Sequence, residues 1–160
     1  CVGLSTELTG GVLDSAKIGI AQRVIRAKLG GDTAWRSWSE PRIAAVVSAV
    51  PMAAPFDMAS LATPRVPLGL VRAGRDAWLA PRWHSDAVRA ACAERCTLLA
   101  DMAQGGHGAI LSPAVPGLSG ALGRLLNDPP GFDRSTLAQV YDAITAFFVK
   151  NLGTAPTRTP

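Results

Sequence analysis

The sequence has no long apolar run and few aromatic residues, and the first of these shortages excludes a membrane-spanning helix. No apolar stretch approaches the roughly 20 residues of a transmembrane helix, because proline, glycine, aspartate or arginine interrupts each candidate. A basic and then apolar leader with a small-residue cleavage site is not visible either, so we expect no targeting segment. Aromatic residues make up only 6% of the 160 residues, whereas hydrophobic residues make up 48% and charged residues 18%. This balance is typical of a globular, soluble domain with one core.

The sequence also lacks a concentrated basic stripe, although its net charge is +4 and its isoelectric point is about 9.4. The basic residues are scattered, and the densest group is interleaved with apolar residues and prolines. This group consists of Arg65, Arg72, Arg75, Arg82 and Arg89. A nucleic-acid-binding surface needs clustered cations and aromatic platforms. We therefore expect a solvated basic surface and no nucleic-acid partner.

Cysteine and histidine are too sparse for a metal or cofactor motif. Cys1, Cys92 and Cys96 are an odd number, and the C-x3-C pair has no matching cluster of ligands, which argues against zinc. No G-x-G-x-x-G or P-loop pattern occurs, so no cofactor is expected. Cys92 and Cys96 are interpreted as buried thiols, with a bridge between them or to Cys1 as the alternative for an exported protein. Both a cytoplasmic and a periplasmic or secreted location therefore stay open.

The first 40 residues carry the weakest patterns, and residues 1–40 are predicted to be a helical, cap-like or connecting segment. It contains a helical pattern over 12–29 and two tryptophans, Trp35 and Trp38, which are interpreted as packing contacts rather than a binding box. Cys1 has three interpretations: an arbitrary cut point, which we favour, the lipid-bearing first residue of a bacterial lipoprotein, or an N-terminal nucleophile. The last two need upstream sequence or a nearby base.

What the sequence does contain is an alternation of buried strand patterns and amphipathic helices. Runs of β-branched and small apolar residues predict strands at about 43–50, 66–72 and 97–102. A helical pattern over 81–92 separates the last two strands, and an apolar stripe predicts a closing helix at about 134–152. Strands alternating with helices are typical of a parallel sheet covered on both faces. The sequence therefore predicts an α/β domain over 41–153 and a frayed tail over 154–160.

Asp76 and His107 follow the ends of the second and third predicted strands. The carboxyl ends of parallel strands meet at one edge of a sheet, where functional groups collect. The two residues are 31 positions apart, enough for one strand–helix–strand crossover. An aspartate at this place can accept the imidazole Nδ1–H, fix its tautomer and stabilise the imidazolium formed in proton transfer. Asp76 and His107 are therefore the candidate acid and base of a nucleophilic triad.

Three segments resemble the last third of α/β-hydrolases, and especially the predicted dienelactone-hydrolase group. They read EPRIAAVVSAVPMAAPF, VPLGLVRAGRDAWLAP and LLADMAQGGHGAIL, and the resemblance covers about residues 40–152. Within them, Gly74-Arg-Asp76-Ala-Trp-Leu-Ala-Pro81 is similar to the acid motif of that family. Gln104-Gly-Gly-His107-Gly is similar to its histidine turn. The resemblance implies a three-layer α/β-hydrolase fold, represented here by its C-terminal part.

The same resemblance implies a serine-type hydrolase of small carboxylic esters or lactones, with Asp76 and His107 as catalytic residues. The nucleophile elbow of the family, G-x-S-x-G, does not occur in the sequence. The serines considered stand in other contexts: Ser5, Ser48, Ser112 and Ser119. We therefore expect the acid- and histidine-bearing half of a hydrolase, inactive until joined to a missing N-terminal half. The alternative is a non-catalytic remnant or interaction module that dimerises or pairs with that half.

Two further residues near the candidate pair have open or modest roles. His84, the other histidine, lies in PRWHSD and is interpreted as a surface or helix-capping residue. Trp78 follows the acid by two positions. It is interpreted either as part of an acyl pocket or as a cover for the sheet edge, and the sequence favours neither.

Overall fold

The chain folds into a small α/β domain in which helices flank a three-stranded parallel sheet. The structure, a computed structural model, describes residues 40–53, 56–114 and 117–153, together with Arg23, Val24, Ala27 and Lys28. The strands are β1 (Val46–Ala49), β2 (Leu68–Ala73) and β3 (Cys96–Met102), in the spatial order β1-β2-β3. The helices of this part are α1 (Ser85–Cys92), α2 (Gly120–Leu126) and α3 (Leu137–Leu152). Short 3-10 helices cover Met58–Ala62, Pro81–Trp83, Ala93–Arg95 and Arg134–Thr136.

The predicted parallel sheet is confirmed, and the differences lie at the ends of elements. The first strand is shorter than expected, because the Ile43 amide donates to the Glu40 carbonyl in a turn. Strand pairing starts only at Val46, whose amide reaches Pro67. The closing helix begins at Leu137, because a 3-10 turn capped by the Asp133 side chain precedes it.

The central strand, β2, places apolar side chains alternately on the two faces of the sheet, as expected for a strand covered on both sides. One cluster joins β2 to α1 and to the loop after β1. It contains Ala53, Leu61, Leu68, Leu70, Val88 and Cys92. The other joins β2 and β3 to α3. It contains Val71, Ala73, Met102, Ala109, Leu137 and Val140. The sheet therefore has α1 on one face and α3 on the other.

The crossover from β2 through α1 to β3 is tied to the sheet at both ends of its helix. A disulfide joins Cys92 at the end of α1 to Cys96 at the start of β3, with Cα atoms 5.7 Å apart. The interpretation of these residues as free thiols is therefore wrong, and the alternative bridge between them is the one observed. Near the start of α1, Asp86 accepts a 2.7 Å hydrogen bond from Arg72 of β2, which also contacts Asp101 of β3 at 2.9 Å.

Several predictions fall outside the described residues. They concern Cys1, Trp35, Trp38 and the tail over 154–160. Of the segment 1–40, the structure describes Glu40 and four residues with helical backbone, which are Arg23, Val24, Ala27 and Lys28. Across the ranges that are described, no helix is long and apolar enough to cross a bilayer.

Candidate active site

The turns that follow β2 and β3 lie side by side at the carboxyl edge of the sheet and are joined through their backbones. The Gly74 amide donates to the Met102 carbonyl, and the Arg75 amide donates to the Gly105 carbonyl, each at 2.9 Å. A Cβ atom on Gly74 would lie 2.9 Å from the Ala103 Cα atom, so this approach needs glycine. The backbone alone therefore places the residue after Arg75 next to the histidine turn.

Asp76 is a buried carboxylate whose two oxygens have separate partners. Its side chain is 1% exposed. Oδ1 accepts the backbone amides of Trp78 and Leu79, both at 2.8 Å. Oδ2 lies 2.9 Å from Nδ1 of His107. Three partners offset the loss of hydration of the buried group and fix the direction of Oδ2, so the structure brings the two predicted site residues together.

The His107 ring is held at Nδ1 and open at Nε2. Its side chain is 27% exposed, and Nε2 has no hydrogen-bond partner among the described residues. A carboxylate on Nδ1 selects the tautomer in which Nδ1 carries the proton and Nε2 can accept one. The pair can therefore take a proton from a hydroxyl group or a water molecule that approaches Nε2.

Glycines beside His107 are required for close packing rather than for a positive φ angle. A Cβ atom on Gly106 would lie 2.8 Å from Pro129 Cδ, and one on Gly108 would lie 2.8 Å from Leu126 Cα. Neither residue has positive φ. The histidine turn therefore packs directly on the last residue of α2 and on the segment that follows this helix.

Arg134 and Tyr141 hold the histidine turn from the side of α3, although the sequence placed Tyr141 only in the apolar stripe of the closing helix and gave Arg134 no role. Arg134 donates from Nη1 to the Leu111 carbonyl at 2.7 Å and from Nη2 to the Gly108 carbonyl at 3.5 Å. Its Nε atom also donates to the carboxylate of Asp128 at 2.6 Å. The Tyr141 hydroxyl donates to the Ile110 carbonyl at 2.8 Å. The contacts with the Leu111, Gly108 and Ile110 carbonyls span 23 to 31 positions, so only the folded chain reveals them.

His84 is buried, so its interpretation as a surface residue is wrong, whereas the alternative position as a helix-capping residue is observed, since it is the N-cap residue of α1. The residue is 1% exposed and precedes α1, but its side chain makes no capping hydrogen bond to that helix. Its Nδ1 atom accepts the Ala53 amide at 3.0 Å, and its Nε2 atom is buried without a partner. Burial lowers the pKa of the imidazole below its ordinary value, against a smaller raising effect of the Asp76 charge.

Trp78 connects the turn after β2 that carries Asp76, here called the acid turn, to α2. Trp78 is 37% exposed, and its Nε1 atom donates to the Arg124 carbonyl at 3.3 Å. The contact with α2 places the indole between the acid turn and a helix that precedes α3 in the chain. Both earlier interpretations, pocket lining and edge cover, stay predictions.

Neither a nucleophile nor a metal centre accompanies the pair in the described part of the chain. No described hydroxyl group hydrogen-bonds to His107. No group of three or more His, Cys, Asp or Glu side chains there could hold a metal ion. The described chemistry of the site is thus that of a carboxylate and an imidazole.

Comparison of the chain with protein-family models, curated protein sequences and solved structures finds no match. The likeness to α/β-hydrolases therefore rests on the sequence motifs alone. The structure adds one geometric observation: a buried carboxylate contacts a partly exposed imidazole at the carboxyl edge of a parallel sheet.

Proposed function

We propose that the chain provides the acid and the histidine of a serine-type hydrolase that acts on carboxylic ester or lactone bonds. The observation that carries this proposal is the 2.9 Å contact between Asp76 Oδ2 and His107 Nδ1, with Nε2 left open. Functional groups of parallel α/β proteins collect at the edge where this pair lies. The hydrolase motifs around both residues select ester or lactone chemistry among the reactions that such a pair serves.

In the proposed mechanism, His107 and Asp76 have distinct roles. Nε2 of His107 removes the proton of a serine or cysteine nucleophile as that atom attacks the substrate carbonyl, and then returns it to the leaving group. In the second half of the reaction Nε2 removes a proton from the water molecule that attacks the acyl intermediate, and then returns it to the nucleophile. Asp76 keeps the tautomer and supports the imidazolium electrostatically. The nucleophile and the oxyanion-stabilising amides belong to an N-terminal half.

The three-layer fold of the proposed hydrolase requires further strands, and β1 offers a place for them. The Val46 amide donates to Pro67, just before β2, and the Val50 amide donates to Val71 of β2. The backbone groups of Val47 and Ala49 therefore point away from β2. An added parallel strand would pair with those groups. It would bring its own carboxyl end, and a nucleophile following it, to the edge where His107 lies.

Activity-based labelling tests this proposal. A fluorophosphonate probe should label the longer protein that contains the nucleophile-bearing half, and His107→Ala should abolish the labelling. The isolated 160-residue chain should neither be labelled nor hydrolyse p-nitrophenyl acetate. Hydrolysis by the isolated chain that is lost in His107→Ala would show that no missing half is needed. An unlabelled longer protein would exclude the serine hydrolase itself.

A second candidate function, a non-catalytic interaction module, is favoured by the surface next to β1. A groove of about 380 Å³ lies there, lined by apolar side chains that include Ile43, Leu61 and Leu68. Ile43 is 48% exposed and Val46 of β1 is 36% exposed. Open strand edges with apolar surroundings are surfaces for pairing with another chain. Sedimentation velocity of the isolated chain tests this candidate, since a monomer at all concentrations would contradict self-association.

A further inference from the structure

His84 connects three segments at the carboxyl edge of the sheet. Its ring accepts the amide of Ala53, which follows β1, while its own position is between the acid turn and α1. Ala53 is 0% exposed and His84 is 1% exposed, so water cannot readily replace this hydrogen bond. The Asp76 carboxylate is near enough to act on the charge of the ring. One imidazole thus links the loop after β1 to the acid-bearing side of the site.

The direction of this hydrogen bond fixes the protonation state of the ring. Because Nδ1 accepts the Ala53 amide, it carries no proton, and the proton of the neutral imidazole is on Nε2. Nε2 is buried without a partner. A protonated imidazole donates from both nitrogens. Its Nδ1–H would then face the Ala53 N–H, and the hydrogen bond that holds the loop would be lost.

Charged groups near His84 have partners of their own, so the hydrogen bond between Ala53 and His84 depends on the ring itself. Asp76 is the carboxylate that favours a charged ring, but burial opposes it more strongly. On the neighbouring elements, Asp86 of α1 is paired with Arg72, and Asp57 accepts the Ala59 amide at the start of its 3-10 helix. The Arg82 guanidinium lies over the Trp83 ring, 5.3 Å from its centroid.

We propose that His84 is a proton-dependent latch: the neutral ring holds the loop after β1 at the edge of the site, and protonation releases it. The carboxyl edge would then be ordered at neutral pH and loosened in a mildly acidic compartment. The latch is a property of the fold and does not depend on whether the chain takes part in hydrolysis.

The sign of the pH effect follows from the burial of the ring. The pKa of His84 is lowered in the folded chain, so the released or unfolded chain binds the proton more readily. The latch is therefore fully formed above about pH 6.5, the ordinary pKa of histidine, and it weakens as the pH falls below that value. Between the two pKa values the opening equilibrium of the loop should rise by about tenfold per pH unit.

Amide hydrogen exchange and ring NMR on the 160-residue chain test the latch. We expect the protection of the Ala53 amide, corrected for intrinsic exchange, to fall by up to about tenfold per unit below pH 6.5. In His84→Asn, the amide oxygen can replace Nδ1 as acceptor and does not titrate, so protection should be retained without this pH dependence. An equal pH dependence in His84→Asn would overturn the proposal.

A second measurement needs no substitution at His84. The ring ¹⁵N signals of the wild-type chain should show an unprotonated Nδ1 at neutral pH and a transition that coincides with the loss of Ala53 protection. In Asp76→Asn the transition should move to lower pH, because the charge that favours the protonated ring is removed. A ring that is charged at neutral pH, or one that carries its proton on Nδ1, would contradict the latch even if His84→Asn failed to fold.

Discussion

At the scale of single residues, the site depends on where one proton is placed. Oδ1 of Asp76 accepts two backbone amides, and Oδ2 is the oxygen that contacts His107. The two amides fix the rotamer of the side chain, and the rotamer determines which ring nitrogen carries the proton. Hydrogen bonding within the acid turn thus controls the chemistry at Nε2 on the far side of the ring.

Asp76→Asn should reverse the tautomer of His107. The oxygen of the new amide can still accept the Trp78 and Leu79 amides, while its NH2 group faces Nδ1. Nδ1 must then accept, so the neutral ring carries its proton on Nε2 and can no longer serve as a base there. We expect ring ¹⁵N spectra to show this change and, if the chain has the proposed hydrolase function, kcat of the longer protein to fall by about 10⁴-fold. An unchanged tautomer would refute this account of Asp76.

Gly108→Ala should destabilise the domain, because the new methyl group would meet the backbone of Leu126. Overpacking of this kind costs about 1–3 kcal/mol, measured as the free energy of unfolding in urea. Gly117→Ala is the matched control, since nothing lies within 4 Å of its Cβ position. The control should change stability by less than about 0.5 kcal/mol. Equal effects of the two substitutions would argue against the close packing of the histidine turn.

The sequence predicted Asp76 and His107 because both follow strands, and strand ends share an edge. It could not predict the buried position of His84, since PRWHSD is a polar segment with the pattern of a helix start. Burial of that ring depends on Ala53, which is 31 positions away. Contacts of this range leave no periodic trace in the sequence, and the same holds for Arg134 and the histidine turn.

At the scale of elements, the crossover through α1 is held by a covalent bond as well as by packing. The disulfide closes a short loop between Cys92 and Cys96. It restricts the unfolded chain more than the folded one. Its main effect should therefore be on stability and not on the geometry of the site.

Reduction should lower the free energy of unfolding by about 2 kcal/mol, the chain-entropy value for so short a loop. Urea unfolding with and without a phosphine reductant measures this difference. The double variant Cys92→Ala/Cys96→Ala is the control, because the reductant should not affect its stability further. A wild-type chain that loses no stability on reduction would contradict the contribution of the bridge.

Arg134→Lys should loosen the histidine turn although it preserves the positive charge. An ammonium group cannot reach the Asp128 carboxylate and the Gly108 and Leu111 carbonyls together. We expect a loss of about 1–3 kcal/mol in the free energy of unfolding and faster exchange of the His107 Nδ1 proton. Arg42→Lys, at an exposed pair with Glu40, should change neither quantity. Slow proton exchange in Arg134→Lys would show that the turn is held by other contacts.

At the scale of the whole molecule, the two faces of the sheet are covered and the surface beside β1 is apolar and accessible. The alternation of strand and helix patterns was enough to predict the parallel sheet, because each crossover needs a helix to return the chain. It was not enough to fix the strand ends. The turn at Glu40 and the 3-10 turn before α3 depend on local hydrogen bonds that compete with the regular pattern.

The exposed side chains beside β1 predict association of the isolated chain. Val46→Lys should reduce concentration-dependent association in sedimentation velocity, because it places a charge at the strand edge, a common device against edge pairing. Val149→Lys is the matched control, since Val149 is 68% exposed on α3 and Val46 is 36% exposed on β1. A wild-type chain that stays monomeric, or equal effects of the two substitutions, would exclude β1 as the contact.

One consequence concerns the ancestry of the site. Acid and histidine belong to a single β2–α1–β3 crossover, and backbone hydrogen bonds between its two turns set their separation. A recombination event that exchanged the segments before β2 would leave the two residues and their spacing intact. The pair can therefore be inherited as one block, and under the proposed function the same block can be combined with different nucleophile-bearing halves.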